Sequence, residues 1–231
     1  LLFVRYAFCV TTYNNGPWLD MTLDNLPKGA PVIVLDTREF GGNLNRTWNA
    51  GIRRLLEIGA DVAIVLNDDV VLREDAGRLL TGGLLDQSGV TWTDRELLLL
   101  SARHAATNDN RTNAADWGLL NAAEPGFQPG PDFSAFCVSQ KTLDIVGPFD
   151  EDFQVWCSDN DYHRRIQLAG FEAGAYAPMW HLLNGTTRAN PERQAATHTI
   201  FPADKATYER KWGGWLGAER FDVPYGLQAV R

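Results

Sequence analysis

No run of apolar residues in this sequence approaches membrane-spanning length, so a water-soluble chain, read here as cytoplasmic, is expected. Cysteine is scarce: Cys9, Cys137 and Cys157 are odd in number, far apart, and form no Cys-x-x-Cys pair. That excludes a disulfide framework and a zinc-finger-like site, and leaves reduced core thiols. Basic charge is also short, with 21 Lys and Arg against 29 Asp and Glu and a net charge of −8. Proteins held chiefly by phosphate-backbone contacts usually carry a basic excess, so nucleic acid is not a favoured partner. Repeats, low-complexity tracts and a domain-dividing linker are absent as well. The 231 residues, 45% hydrophobic and 22% charged, therefore suit one substantial domain spanning 1–231.

What is present is an alternation of strand-like and helix-like segments. Phe3 to Val10 is β-rich, and Asn14-Asn15-Gly16 turns the chain into a helix from Pro17 to about Leu26. Pro31 to Leu35 reads as a strand closing on Asp36, Asn45 to Ile58 as a helix, and Asp61 to Leu66 as a buried strand. This β-α-β-α-β order predicts a mostly parallel sheet with right-handed crossovers, an α/β fold with helices on both faces. Further on come a helix over 74–85, a strand over 97–100, a strand over 132–138 and helices over 140–146 and 159–169. A last strand is expected over 171–177 and a last helix over 203–212. The Asn-, Asp-, Gly- and Pro-rich stretch from His104 to Pro131 is too long for an idle connection and suggests a lid or binding loop, as does the tail after Asn184.

The third strand runs straight into Asn67-Asp68-Asp69. Open α/β sheets bind ligands at the carboxyl ends of their strands. Two adjacent carboxylates repel, and a divalent cation beside them offsets that cost. Taken alone, the same tripeptide also fits a solvated turn.

Seven pieces in order add to that site. They are Val10-Thr-Thr-Tyr-Asn14, Asp36, Gly42-Asn-Leu-Asn45 with Asn49-Ala-Gly51, Leu66-Asn-Asp-Asp69, Gly147-Pro-Phe-Asp-Glu151 before Ser158-Asp-Asn-Asp161, His181 within Trp180 to Gly185, and Lys211-Trp-Gly213. In this joint order, from about Tyr6 to Gly214, the sequence resembles the family 2 glycosyltransferases of GT-A fold, whose core is a single Rossmann-like sheet with acceptor-side loops.

The resemblance implies transfer of one hexose-type sugar, with inversion, from a nucleotide-diphosphate donor to a hydroxyl acceptor, assisted by Mn²⁺ or Mg²⁺. It implies a nucleotide-sugar-binding half, 1–100, and an acceptor and catalytic half, 101–231. Asp69 is the expected metal ligand, with His181 as a second, while Asp68 faces the ribose or shares the metal. Asn67 replaces the first acid of the usual Asp-x-Asp. Thr11 and Tyr13 are expected at the nucleoside and Asp36 at a pyrimidine imide N–H, which favours UDP- or dTDP-linked donors, though Tyr13 also suits the core and Asp36 a cap of the following turn; Asn43 and Asn49 support the pocket, or Asn49 hydrogen-bonds neighbouring backbone. Asp159 is the expected base, with Ser158 where the family has Glu, and Asp161 is an alternative base or a helix cap. Trp156, with Trp92, Trp117, Trp180, Trp212 and Trp215, offers faces to an acceptor ring, or serves only the core. The processive Gln-x-x-Arg-Trp signature is missing, which implies single addition to a saccharide or glycoconjugate. A catalytically silent nucleotide-sugar binder and an enzyme acting on modified DNA bases are the alternatives. A nucleotidyltransferase ranks low because Thr11 to Gly16 holds no basic residue.

Overall fold

The computed structural model describes residues 5–85, 95–104, 126, 128–129, 133–182 and 185–227. In β1 (Tyr6–Thr12) and β3 (Val62–Asn67) nearly every side chain is buried, a pattern that requires cover on both faces of the sheet. Alternation sorts them: Phe8, Val10, Val62, Ile64 and Leu66 enter one core, and Ala7, Cys9, Ala63 and Val65 the other. The first core is covered by α1 (Leu19–Asp24) and α3 (Ala76–Leu85). The second is covered by α2 (Leu44–Glu57), α4 (Gln140–Val146) and α5 (Ser158–Leu168).

The described strands form one eight-stranded sheet in the order β2-β1-β3-β7-β5-β8-β4, with β6 also on β8. As expected, β2 (Val32–Asp36), β1 and β3 are parallel. β7 (Ala135–Ser139) is antiparallel to both β3 and β5 (Leu97–His104), and β8 (Glu172–His181) is parallel to β5. β4 (Val70–Leu72) and β6 (Gln128–Pro129) run antiparallel to β8. The fold is α/β with helices on both faces, and its sheet is mixed: β2, β1, β3, β5 and β8 share a direction that β4, β6 and β7 oppose. The two residues between β3 and β4 are far too few for a crossover, so the chain must reverse at Asp68-Asp69.

Three elements differ from the sequence expectation. β8 continues to His181, past Ala177, whose φ of 86° and accompanying register shift against β5 interrupt the alternation that marks a strand. A short helix, α6 (Gly185–Ala189), follows it. The last helix, α7 (Pro191–Trp212), begins twelve residues before Ala203: Asn190 caps it by accepting from Arg193 N at 3.0 Å, and Pro202 lies inside it. An internal proline removes a hydrogen bond at a cost of about 3 kcal/mol. Burial of Tyr208 and Trp212 against Phe153 and Cys157 offsets that cost. Most of His104 to Pro131 lies outside the described residues.

α2 lies hard against β1. A Cβ on Gly51 would meet Cys9 Sγ well inside van der Waals contact. Gly51→Ala should therefore lower stability by about 1–3 kcal/mol in urea unfolding. The double variant with Cys9→Ala should lose less than the sum of the two single changes, and strict additivity would refute this contact.

Candidate functional site

The ends of β1, β3 and β8 meet at the carboxyl edge of the sheet over a cleft of about 330 Å³. Thr11, Tyr13, Asn67, Asp68, Asp69, His181, Trp156, Ser158 and Asp159 all line it, so the structure brings these residues into one place. Asp68 and Asp69 are only 2% and 3% exposed, which rules out a solvated turn.

Asp68 forms part of the cleft floor. Its two oxygens accept from the hydroxyls of Thr12 and Thr186, and Thr12 Oγ1 in turn accepts from Gly16 N at 3.0 Å. Gly16 has no room for a side chain, since a Cβ there would come within 2.6 Å of Asp68 Oδ2. Burial raises the Asp68 carboxyl to about 6, the neighbouring Asp69 charge adds to this, and the two hydroxyls oppose it.

Asp69 Oδ1 stands 3.5 Å from His181 Nε2, and Ser134 Oγ lies 2.9 Å from His181 Nδ1. Two ligands of one Mn²⁺ or Mg²⁺, each about 2.1 Å from it, sit about 3 Å apart, so this pair is close to the required spacing. With the proton on Nδ1, toward Ser134, the Nε2 lone pair faces the carboxylate side. Among the described residues no three or more His, Cys, Asp or Glu side chains converge on one point. An oxygen-and-imidazole pair completed by phosphate and water is the usual manner of Mg²⁺ and Mn²⁺, and the residues present fit it.

Asp159 is held by a different device. It sits in the first turn of α5, where its Oδ1 accepts from Asn160 N at 2.8 Å. The segment before it hangs on Asp204 of α7, whose carboxylate accepts from Gln154 N and Val155 N at 2.9 Å and from Trp156 N at 2.7 Å. Cys157, between cradle and helix, takes a left-handed φ of 63°. Burial, followed by Asp204 and Asp159, pushes its thiol up to about 12, so it is protonated at neutral pH and is no nucleophile.

Other expectations are corrected. Asp161 is neither base nor cap: it is 1% exposed, off the cleft, and accepts from Lys211 Nζ at 2.8 Å, Trp212 Nε1 at 2.9 Å and Arg165 Nε at 3.0 Å. Asn43 lies outside the cleft lining. Its Oδ1 caps α2 through Arg46 N, and its Nδ2 donates to Glu151 O. Asn45 and Asn49 likewise donate to Asp150 O and Phe149 O, so the three asparagines clamp the turn after α4. Asp36 caps the 3-10 turn Thr37–Phe40 and pairs with Arg38 through both oxygens, outside the cleft lining. Of the tryptophans, Trp180 and Trp212 are core, Trp215 packs on Tyr208, and Trp92 and Trp117 lie outside the described residues.

Sequence reasoning missed Thr12, Ser134, Thr186, Arg193 and Asp204. Arg193, 9% exposed, lines the cleft with its guanidinium 5.0 Å over the Tyr13 ring. No carboxylate lies within ion-pair distance of it among the described residues, which suits it to an incoming anion. Asp204, Tyr208, Lys211 and Trp212 recur at i, i+4, i+7 and i+8, a helical stripe whose acidic member was the available signal.

No family model and no curated protein matches the chain by sequence. Among solved structures it is similar to glucosyl-3-phosphoglycerate synthase from Mycobacterium tuberculosis in complex with Mn²⁺, UDP and phosphoglyceric acid. That match has a TM-score of 0.48 and 13% identity over 81% of this chain and 78% of the other. The mannosyltransferase PcManGT from Pyrobaculum calidifontis, in complex with GDP-Man and Mn²⁺, gives 0.45 and 14% over 75% and 55%. A197 from STIV gives 0.45 and 12% over 76% and 83%. Likeness of this degree concerns general outline and says nothing of substrate.

Lys211 Nζ also contacts Asp150, so one buried ammonium serves two carboxylates. Lys211→Ala leaves Asp150 without its ion-pair partner and Asp161 with only Arg165 and Trp212, and should cost about 3–5 kcal/mol in urea unfolding. Burial is the largest influence on the Asp150 carboxyl and raises it, but the Lys211 hydrogen bond, the Asp152 N–H and the charges of Lys211 and Arg165 together hold it below its ordinary 3.8. Its contribution is therefore complete above pH 3.8 and is lost as pH falls through the lowered folded value. The stability gap between wild type and Asp150→Asn should be constant near neutrality and shrink below about pH 4. A gap that grows on acidification would refute the pairing.

Proposed function

We propose that this protein is a metal-dependent, inverting glycosyltransferase of GT-A type that moves one sugar from a nucleoside-diphosphate donor to a hydroxyl acceptor. The observation that carries it is the convergence of Asp69, His181, Arg193 and Asp159 on one cleft at the strand ends. Asp69 and His181 would hold a divalent cation, Mn²⁺ or Mg²⁺, which when bound neutralises charge on the donor phosphates. Arg193 faces the same charge as the glycosidic bond breaks and the diphosphate leaves. Asp159 takes the proton of the acceptor hydroxyl as its oxygen attacks the anomeric carbon from the side opposite the leaving group.

The donor and acceptor halves are interleaved in this reading. His181 and Arg193 come from 101–231 yet serve the donor. With Asp36 engaged by Arg38, preference for a UDP- or dTDP-linked sugar rests on the family resemblance. The second reading, a silent nucleotide-sugar binder, draws on Asn67 and Ser158 standing where acids are usual.

Thermal-shift screening of UDP, dTDP and GDP with their sugars, with and without Mn²⁺, should give the largest metal-dependent stabilisation with UDP or dTDP. A metal-independent response or a guanosine preference would refute that donor assignment. Slow donor hydrolysis should fall at least 100-fold in Asp159→Asn with donor-induced stabilisation intact. Arg193→Ala should instead weaken the donor-induced shift itself. Hydrolysis equal in wild type and Asp159→Asn would refute the role of Asp159, and donor binding with hydrolysis absent from both would favour the silent binder.

A further inference from the structure

Asp69 and His181 reach the cleft on backbones already fixed to each other. Leu182 N donates to Asp69 O at 3.0 Å, and His181 pairs with Val70 across the antiparallel β4–β8 ladder. What the ladder leaves undetermined is the imidazole itself. A neutral imidazole carries one N–H and one lone pair, and only the nitrogen with the lone pair can bind a cation. The two tautomers of His181 therefore differ in whether the ring can serve as a metal ligand toward Asp69 at all.

The distances separate the two forms. With the proton on Nε2, the ring would donate to the Asp69 carboxylate, and charge-assisted bonds of that kind are about 2.7–2.9 Å long. The separation of 3.5 Å is too long for one. At the other nitrogen Ser134 Oγ stands at 2.9 Å, an ordinary hydrogen-bond length. A proton on Nδ1, donated to Ser134, turns the Nε2 lone pair toward the carboxylate. Two electron-rich atoms then face each other, an arrangement that a cation between them relieves.

Ser134 is itself firmly placed. It is 5% exposed, and its carbonyl accepts from Asn67 N at 2.8 Å, where β3 ends. Ala135 after it pairs with Leu66, and Phe133 before it is buried among the rings of Trp48, Phe136 and Phe149. Ser134 thus takes its position from the strand that delivers the carboxylate and turns its hydroxyl to the strand that delivers the imidazole.

We propose that Ser134 is a positioning residue that fixes His181 as a metal ligand and thereby sets a preference for Mn²⁺ over Mg²⁺. Mg²⁺ takes oxygen ligands and gives up its water reluctantly, whereas Mn²⁺, a transition metal, also accepts an imidazole nitrogen. The inference rests on the metal reading of Asp69 and His181 and deepens it.

Mn²⁺ titration of the full chain, followed by electron paramagnetic resonance of the free ion and by competition with Mg²⁺, tests it. Wild type should bind Mn²⁺ about tenfold tighter than Mg²⁺ or more. Ser134→Ala should weaken Mn²⁺ binding about 10–100-fold and Mg²⁺ binding by less than about threefold. In a His181→Ala background the same change should alter Mn²⁺ affinity by less than about twofold, whereas a merely structural serine would cost as much in either background. The ¹⁵N spectrum of the metal-free wild type should show His181 as its Nδ1–H tautomer, and that of Ser134→Ala a shift toward Nε2–H. An Nε2–H tautomer in the wild type, or equal Mn²⁺ binding by wild type and Ser134→Ala, overturns the role of Ser134. A wild type that keeps the Nδ1–H tautomer yet binds no Mn²⁺ refutes the metal reading, and the metal preference falls with it.

Discussion

A single buried ammonium holds the Asp159 side of the cleft together. Lys211, 4% exposed, bridges Asp150 of the turn after α4 and Asp161 of α5, while Trp212 next to it donates to Asp161 as well. The turn after α4 and the start of α5 are thus tied through one electrostatic joint to the end of α7. In the low dielectric of the interior such a joint tolerates loss of its ammonium poorly, because among the described residues Lys211 alone pairs with Asp150, and it shares Asp161 with Arg165. Asp159, two residues from Asp161, takes its place in the cleft from that joint and from the Asp204 cradle.

The asparagines of α2 perform the neutral counterpart of this task. Asn43, Asn45 and Asn49 lie on the helix face toward the 149–151 turn and satisfy its carbonyls one by one. Asn49 also accepts from Phe149 N at 2.9 Å, so the turn is gripped in both directions. Motifs that read from the sequence as pocket residues are therefore the fastening between the two halves of the chain. Amide side chains suit this use because each offers a donor and an acceptor at fixed separation.

Much of the fold was legible because its signals are local. The β-α-β-α-β order is written in short apolar runs and turn residues, and the buried exit of β3 in three consecutive letters. The cleft was legible where strand ends carry unusual side chains, as at Asp69 and His181. What escaped depended on distant partners. Arg193 reads as one more surface arginine until α7 folds over Tyr13, and residues 191–196, Pro-Glu-Arg-Gln-Ala-Ala, show no stripe of large apolar side chains facing a core. Asp36 and Asn43 were ambiguous because a carboxylate or amide at a strand end or cap serves backbone donors and ligands equally well. Only the neighbours Arg38, Arg46 and Glu151 decide between those uses.

The left-handed backbone at Cys157 bears on how Asp159 is aimed. A residue with a Cβ in this conformation carries about 1–2 kcal/mol of strain, which glycine would not. The surrounding hydrogen bonds bear that strain at the neck of α5. A glycine there would relax the neck and widen the arc through which Asp159 swings. The chain thus forgoes some local comfort for a carboxylate that points one way.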